Sequence, residues 1–304
     1  MLAEPCVLSR IFHCIKTAFV CLISLAREYP GADDRNGRGE DFSNFPAFIK
    51  QLRSSLNGVG KSYGLSLTLP SSFWYLQHFD IKTLQDSVDW FNIMSYDLHG
   101  GWDLNSKWTG AFINSHTNLT EIKSGLDLLW RNDINPNKVV LGMAFYGRSF
   151  SLADPACSTP GCAVLSEGSA GQCSNTVGIL LNSEISQIIS DNNLTPSLYH
   201  DEAVKTINWG DQWVSFDDED TFKLKGDFAK GLGISGVMVW AISHDTPKGP
   251  SIHGLTKALG VQSRATTVST NDTEMVTVIS PNFTPEQVQS GTCRWTNCEF
   301  FFPV

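Results

Sequence analysis

Apolar runs alternate along the chain with polar segments of helical period. Phe19–Ala26, Tyr63–Leu69, Trp90–Tyr96, Val139–Phe145 and Ile234–Ala241 read as strands. Each is a continuous apolar run, the pattern of strands buried on both faces of a parallel sheet. Phe45, Phe48, Ile49, Leu52 and Leu56 recur at helical spacing, with Ser43 at the N-cap position. Leu119, Ile122, Leu126 and Leu129 repeat the same spacing. Strand followed by helix, over and over, predicts an α/β chain, either a barrel or a doubly wound sheet.

The rhythm breaks over residues 149–232. That segment opens with "DPACSTPGCAVLSEGSAGQC", carries a helical pattern near Thr176–Asn192, and includes "YHDEAVKTINWGDQWVSFDDED", which predicts short antiparallel strands. It reads as an α+β insertion between the last two strands. Residues 261–304 turn Thr-, Ser- and Val-rich, a linker composition, and end in "GTCRWTNCEFFFPV", the start of a further Cys-containing module.

Composition narrows the choice of partner. With 22 basic against 31 acidic residues the net charge is −9, and no basic cluster stands out. Nucleic acid is therefore excluded as the natural ligand. No apolar stretch reaches about 18 residues, so no membrane span is expected. Nine tryptophans supply platforms that suit sugars as well as cores. The eight cysteines show no paired CxxC spacing, so no metal site is expected. N-x-[ST] sequons at Asn118, Asn193, Asn271 and Asn282, together with cysteines clustered in loops, favour an extracellular, secreted protein. A signal peptide is not convincing. Arg10 and Lys16 precede a short apolar run, but Glu4 sits in the would-be basic region.

Chemistry-bearing side chains gather at the ends of the predicted strands. Glu28 precedes Tyr29-Pro30-Gly31; Met94, Tyr96 and Asp97 leave the next site strand with Trp102 in the loop beyond; Tyr146 and Arg148 follow a third; Trp240 ends a fourth. In an α/β barrel the C-terminal strand ends converge on one face, where sites are built. Any one of these side chains alone would read as core or rim; four in order on successive strands point to a site.

"EYPGADDR", "GLSLTLPSSFWYLQHFD", "NIMSYDLHGGWD", "AFYGRSF" and "GVMVWAISHD" in combination resemble the glycoside hydrolase family 18 chitinases, specifically their large fungal killer-toxin-like class. The resemblance covers residues 28–260. It implies a TIM (β/α)8 barrel with an insertion between its seventh and eighth strands, of which only about strands four to eight are present here. It also implies hydrolysis of β-1,4-linked N-acetylglucosamine, in which the substrate's own acetamido oxygen is the nucleophile, an exception to the two-carboxylate scheme. No cofactor is implied; the implied partners are chitin and N-acetylglucosamine oligomers. Glu28 takes the role of general acid, while Tyr96 and Asp97 hold the acetamido group. Trp240 floors the reacting sugar, Trp102 stacks on the leaving-group side, Tyr146 and Arg148 bind from the rim, and Met94 shapes the pocket floor.

This chain departs from the family at its start. Cys21, Ser24 and Ala26 stand where the resemblance expects the three aspartates of a DxxDxDxE run, and Arg27 where it expects Trp. Ala26 replaces the carboxylate that raises the acid's pKa and grips the acetamido group, so activity is expected to be low. A binding-only, lectin-like fragment is the alternative. Residues 1–27 are unmatched and read as translated non-coding sequence, with Cys6, Cys14 and Cys21 accidental. The missing units leave two open sheet edges, so the chain is expected to fold poorly alone.

Overall fold

A computed structural model describes residues 22–59, 63–246 and 248–260, and the backbone of strands at 265–267, 277–279 and 300–303. Most of the segment 1–27, with Cys6, Cys14 and Cys21, lies outside the described residues, as do Cys293, Cys298 and the sequons at Asn271 and Asn282.

The chain runs β1 (Leu22–Leu25), α1 (Asp41–Asn57), β2 (Gly64–Pro70), α2 (Phe73–Leu76), α3 (Ile81–Gln85), β3 (Trp90–Met94), α4 (Leu119–Trp130) and β4 (Val139–Ala144). It then builds β5 (Tyr146–Leu152), β6 (Val164–Glu167), β7 (Ile179–Leu181), α5 (Asn182–Asp191), β8 (Ser197–Tyr199), β9 (Val204–Trp209) and β10 (Gln212–Phe216). It returns through α6 (Glu219–Leu232), β11 (Gly236–Trp240) and α7 (Pro250–Leu259), and β12 (Ala265–Thr267), β13 (Thr277–Ile279) and β14 (Phe300–Pro303) follow. Strands β1, β2, β3, β4 and β11 pair in that order, all parallel, as a half-barrel.

The predicted strands are all present, but the reading of them as uniformly apolar needs correction. Leu65, Leu67 and Leu69 point outward into the helix-covered core, with Phe91, Ile93, Leu141 and Val237. The residues between them, Ser66 and Thr68, are buried on the inner face together with Asn92. Asn92 Nδ2 donates to Ser66 Oγ and Ser24 Oγ, each at 3.4 Å, tying the inner faces of β1, β2 and β3 together. Toward β4 and β11 the inner face becomes apolar, with Val140, Ala144 and Met238. A barrel interior buries both faces whatever their polarity, so burial did not require an unbroken apolar run.

Helix α4 buries Leu119, Ile122, Leu126 and Leu129, as their spacing predicts, and Asn118 caps it by accepting from Thr120 N at 2.9 Å. Helix α1 begins earlier than expected. Its N-cap position is Glu40, and Ser43 sits in the first turn with its hydroxyl donating to Glu40 O at 3.1 Å. Phe48, on the predicted apolar stripe, is exposed, whereas Ile49 is fully buried.

Strands β5 to β10 form a separate antiparallel sheet in the order β6-β5-β10-β9-β8, with β7 on β5. The β9–β10 hairpin is the pair that "KTINWGDQWVSF" predicts. Its core holds Trp213, Phe150 and Ile113, beside the Cys157–Cys162 disulfide. The helix expected near Thr176–Asn192 starts only at Asn182. The Glu184 carboxylate accepts from Leu181 N at 2.8 Å and from Cys173 N at 2.6 Å, which fixes the start of α5 and leaves Ile179–Leu181 free to pair as a strand.

One expected open edge is covered: β14 pairs antiparallel with β11, Phe300 opposite Val239. Among the described residues, no helix is long and apolar enough to cross a membrane.

Candidate active site

The C-terminal ends of the parallel strands bring most of the predicted side chains together. Ser24 faces the interior through its bond from Asn92, and Ala26 and Glu28 follow two and four residues on. Glu28 is exposed at the open end. Even so, the protein atoms around its carboxyl withdraw it from water and push its pKa up; Arg35 opposes that and the charge of Asp97 adds to it. Beside it Tyr29 stacks on Tyr75, ring centroids 4.1 Å apart, and Tyr75 donates to Asp34 at 2.7 Å. Arg27 leans away, bonded to Asp41 of α1 at 3.2 Å.

Asp97, just past β3, is the hub. Its backbone is left-handed, φ 58°. One carboxylate oxygen accepts from the Tyr146 hydroxyl at 2.7 Å and from Arg148 Nε at 2.8 Å. Burial alone would raise this carboxyl, but the bond and charge of Arg148 outweigh it and hold the group well below the usual carboxylate range. Asp97 is therefore an anion and an acceptor at neutral pH.

His116 explains the unusual backbone. Its Nδ1 accepts from Asp97 N at 3.3 Å, and its Nε2 donates to Tyr146 O at 3.2 Å. This pairing needs a neutral ring with the proton on Nε2, and burial pushes the His116 pKa down accordingly. A second neutral imidazole, His244, stands edge-on to Tyr146 with centroids 5.7 Å apart; burial pushes it down to about 4.

Tyr146 is buried beneath the carboxylate rather than standing at the rim. Arg148 does reach the rim, its guanidinium carbon 4.9 Å from the centre of the Trp102 ring. Trp102 is half exposed. Tyr96 is buried with its ring 6.1 Å from that of Tyr146, and its hydroxyl reaches Met238 Sδ at 4.0 Å. Gly142 makes room for it, since a Cβ there would lie 2.8 Å from the Tyr96 ring. Met94 and Trp240 complete the same apolar cluster, both half-buried. Two cis peptides, Glu28–Tyr29 and Trp240–Ala241, lie at the ends of β1 and β11. Among the described residues, no three His, Cys, Asp or Glu side chains gather as a metal site.

Residues 10–245 match the sequence profile of Glycosyl hydrolases family 18. The chain belongs to glycoside hydrolase family 18. Among curated family 18 relatives, the probable chitinase LysM11 of Penicillium expansum is 34% identical over 242 residues, 71% of this chain and 21% of that protein. The killer toxin subunits alpha/beta of Kluyveromyces lactis are 33% identical over 236 residues, 73% of this chain and 19% of that protein. The chain thus spans about a fifth of the length of these relatives. Among solved structures, human YKL-39, described as a pseudo-chitinase with retained chitooligosaccharide binding, superposes with a TM-score of 0.69 at 22% identity, covering 79% of this chain and 69% of that one. That likeness shows the fold.

Sequence reasoning missed His116, which holds the Asp97 backbone, and the neighbouring trio His99, Asp103 and Glu121. His99 and Asp103 lie four apart in "HGGWD", close enough along the chain for a Gly-Gly loop to bring ring and carboxylate together. His116 and Glu121 carry no such signal: only the fold brings them to the strand end.

Proposed function

We propose that this chain binds β-1,4-linked N-acetylglucosamine oligomers across the open end of its half-barrel and hydrolyses them slowly, with Glu28 as the proton donor. The observation that carries the reading is one constellation: Glu28 with a raised pKa, near an Asp97 anion held by Tyr146 and Arg148, at the same end of one sheet. A protonated carboxyl can donate to a glycosidic oxygen. A fixed anion can orient an acetamido N–H, so that the sugar's own carbonyl oxygen attacks the anomeric carbon. Trp240 and Trp102 serve as the faces on which sugars stack. The five parallel strands are read as strands four to eight of the family's barrel, with the antiparallel sheet as the insertion between the last two. Sequons and the Cys157–Cys162 disulfide support an extracellular setting.

Binding without turnover is the second reading, favoured by the methyl group of Ala26 where a carboxylate would grip the acetamido group. Tryptophan fluorescence titrated with chitin oligomers tests the common part. Saturable binding is expected, weakened by Trp240→Ala by about 1 kcal/mol, roughly fivefold. No saturable change, or binding that ignores Trp240→Ala, would sink it. Turnover of a fluorogenic chitobioside then separates the two readings. A slow rate that vanishes in Glu28→Gln supports hydrolysis; none above background leaves binding alone.

A further inference from the structure

The loop after β3 carries a charged clamp that the chemistry above does not use. His99 Nδ1 lies 2.7 Å from Asp103 Oδ2, and its Nε2 lies 3.0 and 3.1 Å from the two carboxylate oxygens of Glu121. Asp103 belongs to the 3-10 turn Gly101–Asn105, directly after Trp102; Glu121 belongs to the first turn of α4. Both ring nitrogens face carboxylates, so both must donate. A neutral ring would turn a lone pair toward an anionic oxygen at hydrogen-bond distance. Asp103 is held in turn by Thr109, whose hydroxyl donates to its other oxygen at 3.0 Å. The turn is tight: the Trp102 indole folds back over Gly100, where a Cβ would lie 2.5 Å from the ring, and Glu167 of β6 lies against Gly101.

We infer that His99 is a positioning residue: as an imidazolium bridging Asp103 and Glu121, it ties the Trp102 turn to α4 and thereby holds the Trp102 ring over Arg148. The charged groups facing His99 are Asp103 from its own loop and Glu121 from α4. Burial alone would lower the His99 pKa, but the bonds to these two carboxylates overcome it and push it up to about 9. A histidine raised in the folded state contributes its full stabilisation below its ordinary value of about 6.5 and loses it as pH rises through the folded value. The clamp is therefore closed at neutrality and opens near pH 9. The use of Trp102 as a sugar platform rests on the proposed function; the clamp itself can be read without sugar.

The measurement is acrylamide quenching of Trp102 between about pH 7 and pH 10, taken as the difference between each protein and its Trp102→Phe counterpart. In the unaltered chain, quenching is expected to be intermediate at neutral pH, as for a half-exposed ring, and to rise further with a midpoint near 9. Glu121→Gln removes one anion on a half-exposed side chain and should move that midpoint down by about one pH unit or more. His99→Gln should expose Trp102 at neutral pH and abolish the alkaline step. A midpoint unmoved in Glu121→Gln, or an alkaline step retained in His99→Gln, overturns the inference. If His99→Gln does not fold, the Glu121→Gln midpoint alone decides. Affinity for N-acetylglucosamine oligomers, followed over the same range, should fall severalfold with the same midpoint. Absence of oligomer binding at neutral pH would count against the proposed function alone, since the clamp is decided by the sugar-free signal.

Discussion

Ala26→Asp is expected to raise turnover of a fluorogenic chitobioside by roughly 10²- to 10⁴-fold, the scale of a positioned acid–base group. Half of the machinery is already in place. Burial and the charge of Asp97 keep the Glu28 carboxyl protonated to higher pH than an ordinary glutamate. On the proposed reading, what the chain lacks is a carboxylate at Ala26, two residues before Glu28. The interior neighbour on that strand, Ser24, already faces a polar partner in Asn92, so a carboxylate above it would not enter an apolar core. A new carboxylate beside Glu28 would also raise the acid further by like-charge repulsion. The gain should disappear when Glu28→Gln is added. A gain below about tenfold, with oligomer binding intact, would mean that something other than the missing carboxylate limits the reaction.

The second large effect concerns stability. Lys225 of α6 and Asp217, just after β10, form an ion pair in which each residue is 1% exposed. Burial pushes the Lys225 pKa down, opposed by Asp217. Asn182 Nδ2, at the start of α5, donates to Asp217 O at 3.2 Å, so the pair sits where the antiparallel sheet, α5 and α6 meet. Asp217→Ala strands an ammonium in a dry interior and is expected to cost about 3–5 kcal/mol of unfolding free energy. The double variant Asp217→Leu with Lys225→Met removes both charges and should recover most of that loss. Denaturant unfolding of the three proteins is the check. A single variant as stable as the parent would show that water reaches the pair, and a double variant no better than the single would assign the loss to packing.

The parts legible in the sequence were those with a local physical cause. The stripe Leu119, Ile122, Leu126, Leu129 recurs once per turn and buries one helix face wherever the helix goes, so it could be read without the fold. The β9–β10 hairpin was legible for the same reason: two apolar runs around Gly210-Asp211 can only fold back on each other. Positions whose state depends on distant chain were misjudged. Phe48 has helical spacing but no facing surface, and Ser66 is polar yet fully buried because a curved sheet encloses it. At the candidate site, the strand-end rule singled out Glu28, Asp97, Tyr146 and Arg148, and the structure bonds the last two to Asp97. The rule could not reveal that Tyr146 lies under Asp97 rather than beside it, since that follows from how β4 and β5 turn after Ala144. His116 lies nineteen residues from Asp97 along the chain, and no periodic pattern connects them.

Tyr146 and Arg148 both sit on β5, the first strand of the antiparallel sheet, although the carboxylate they hold belongs to the end of a barrel strand. For anyone wishing to trim this protein, that sharing sets a boundary. A shortened version joining Ala144 directly to Asp217 would keep every parallel strand and still strip Asp97 of both donors. The cut that preserves the site must spare Tyr146–Arg148 together with the partners that hold that stretch straight, Ser215 on β10 and Ile179 to Leu181 on β7. What looks like a detachable lobe is, in its first three residues, the support of Asp97.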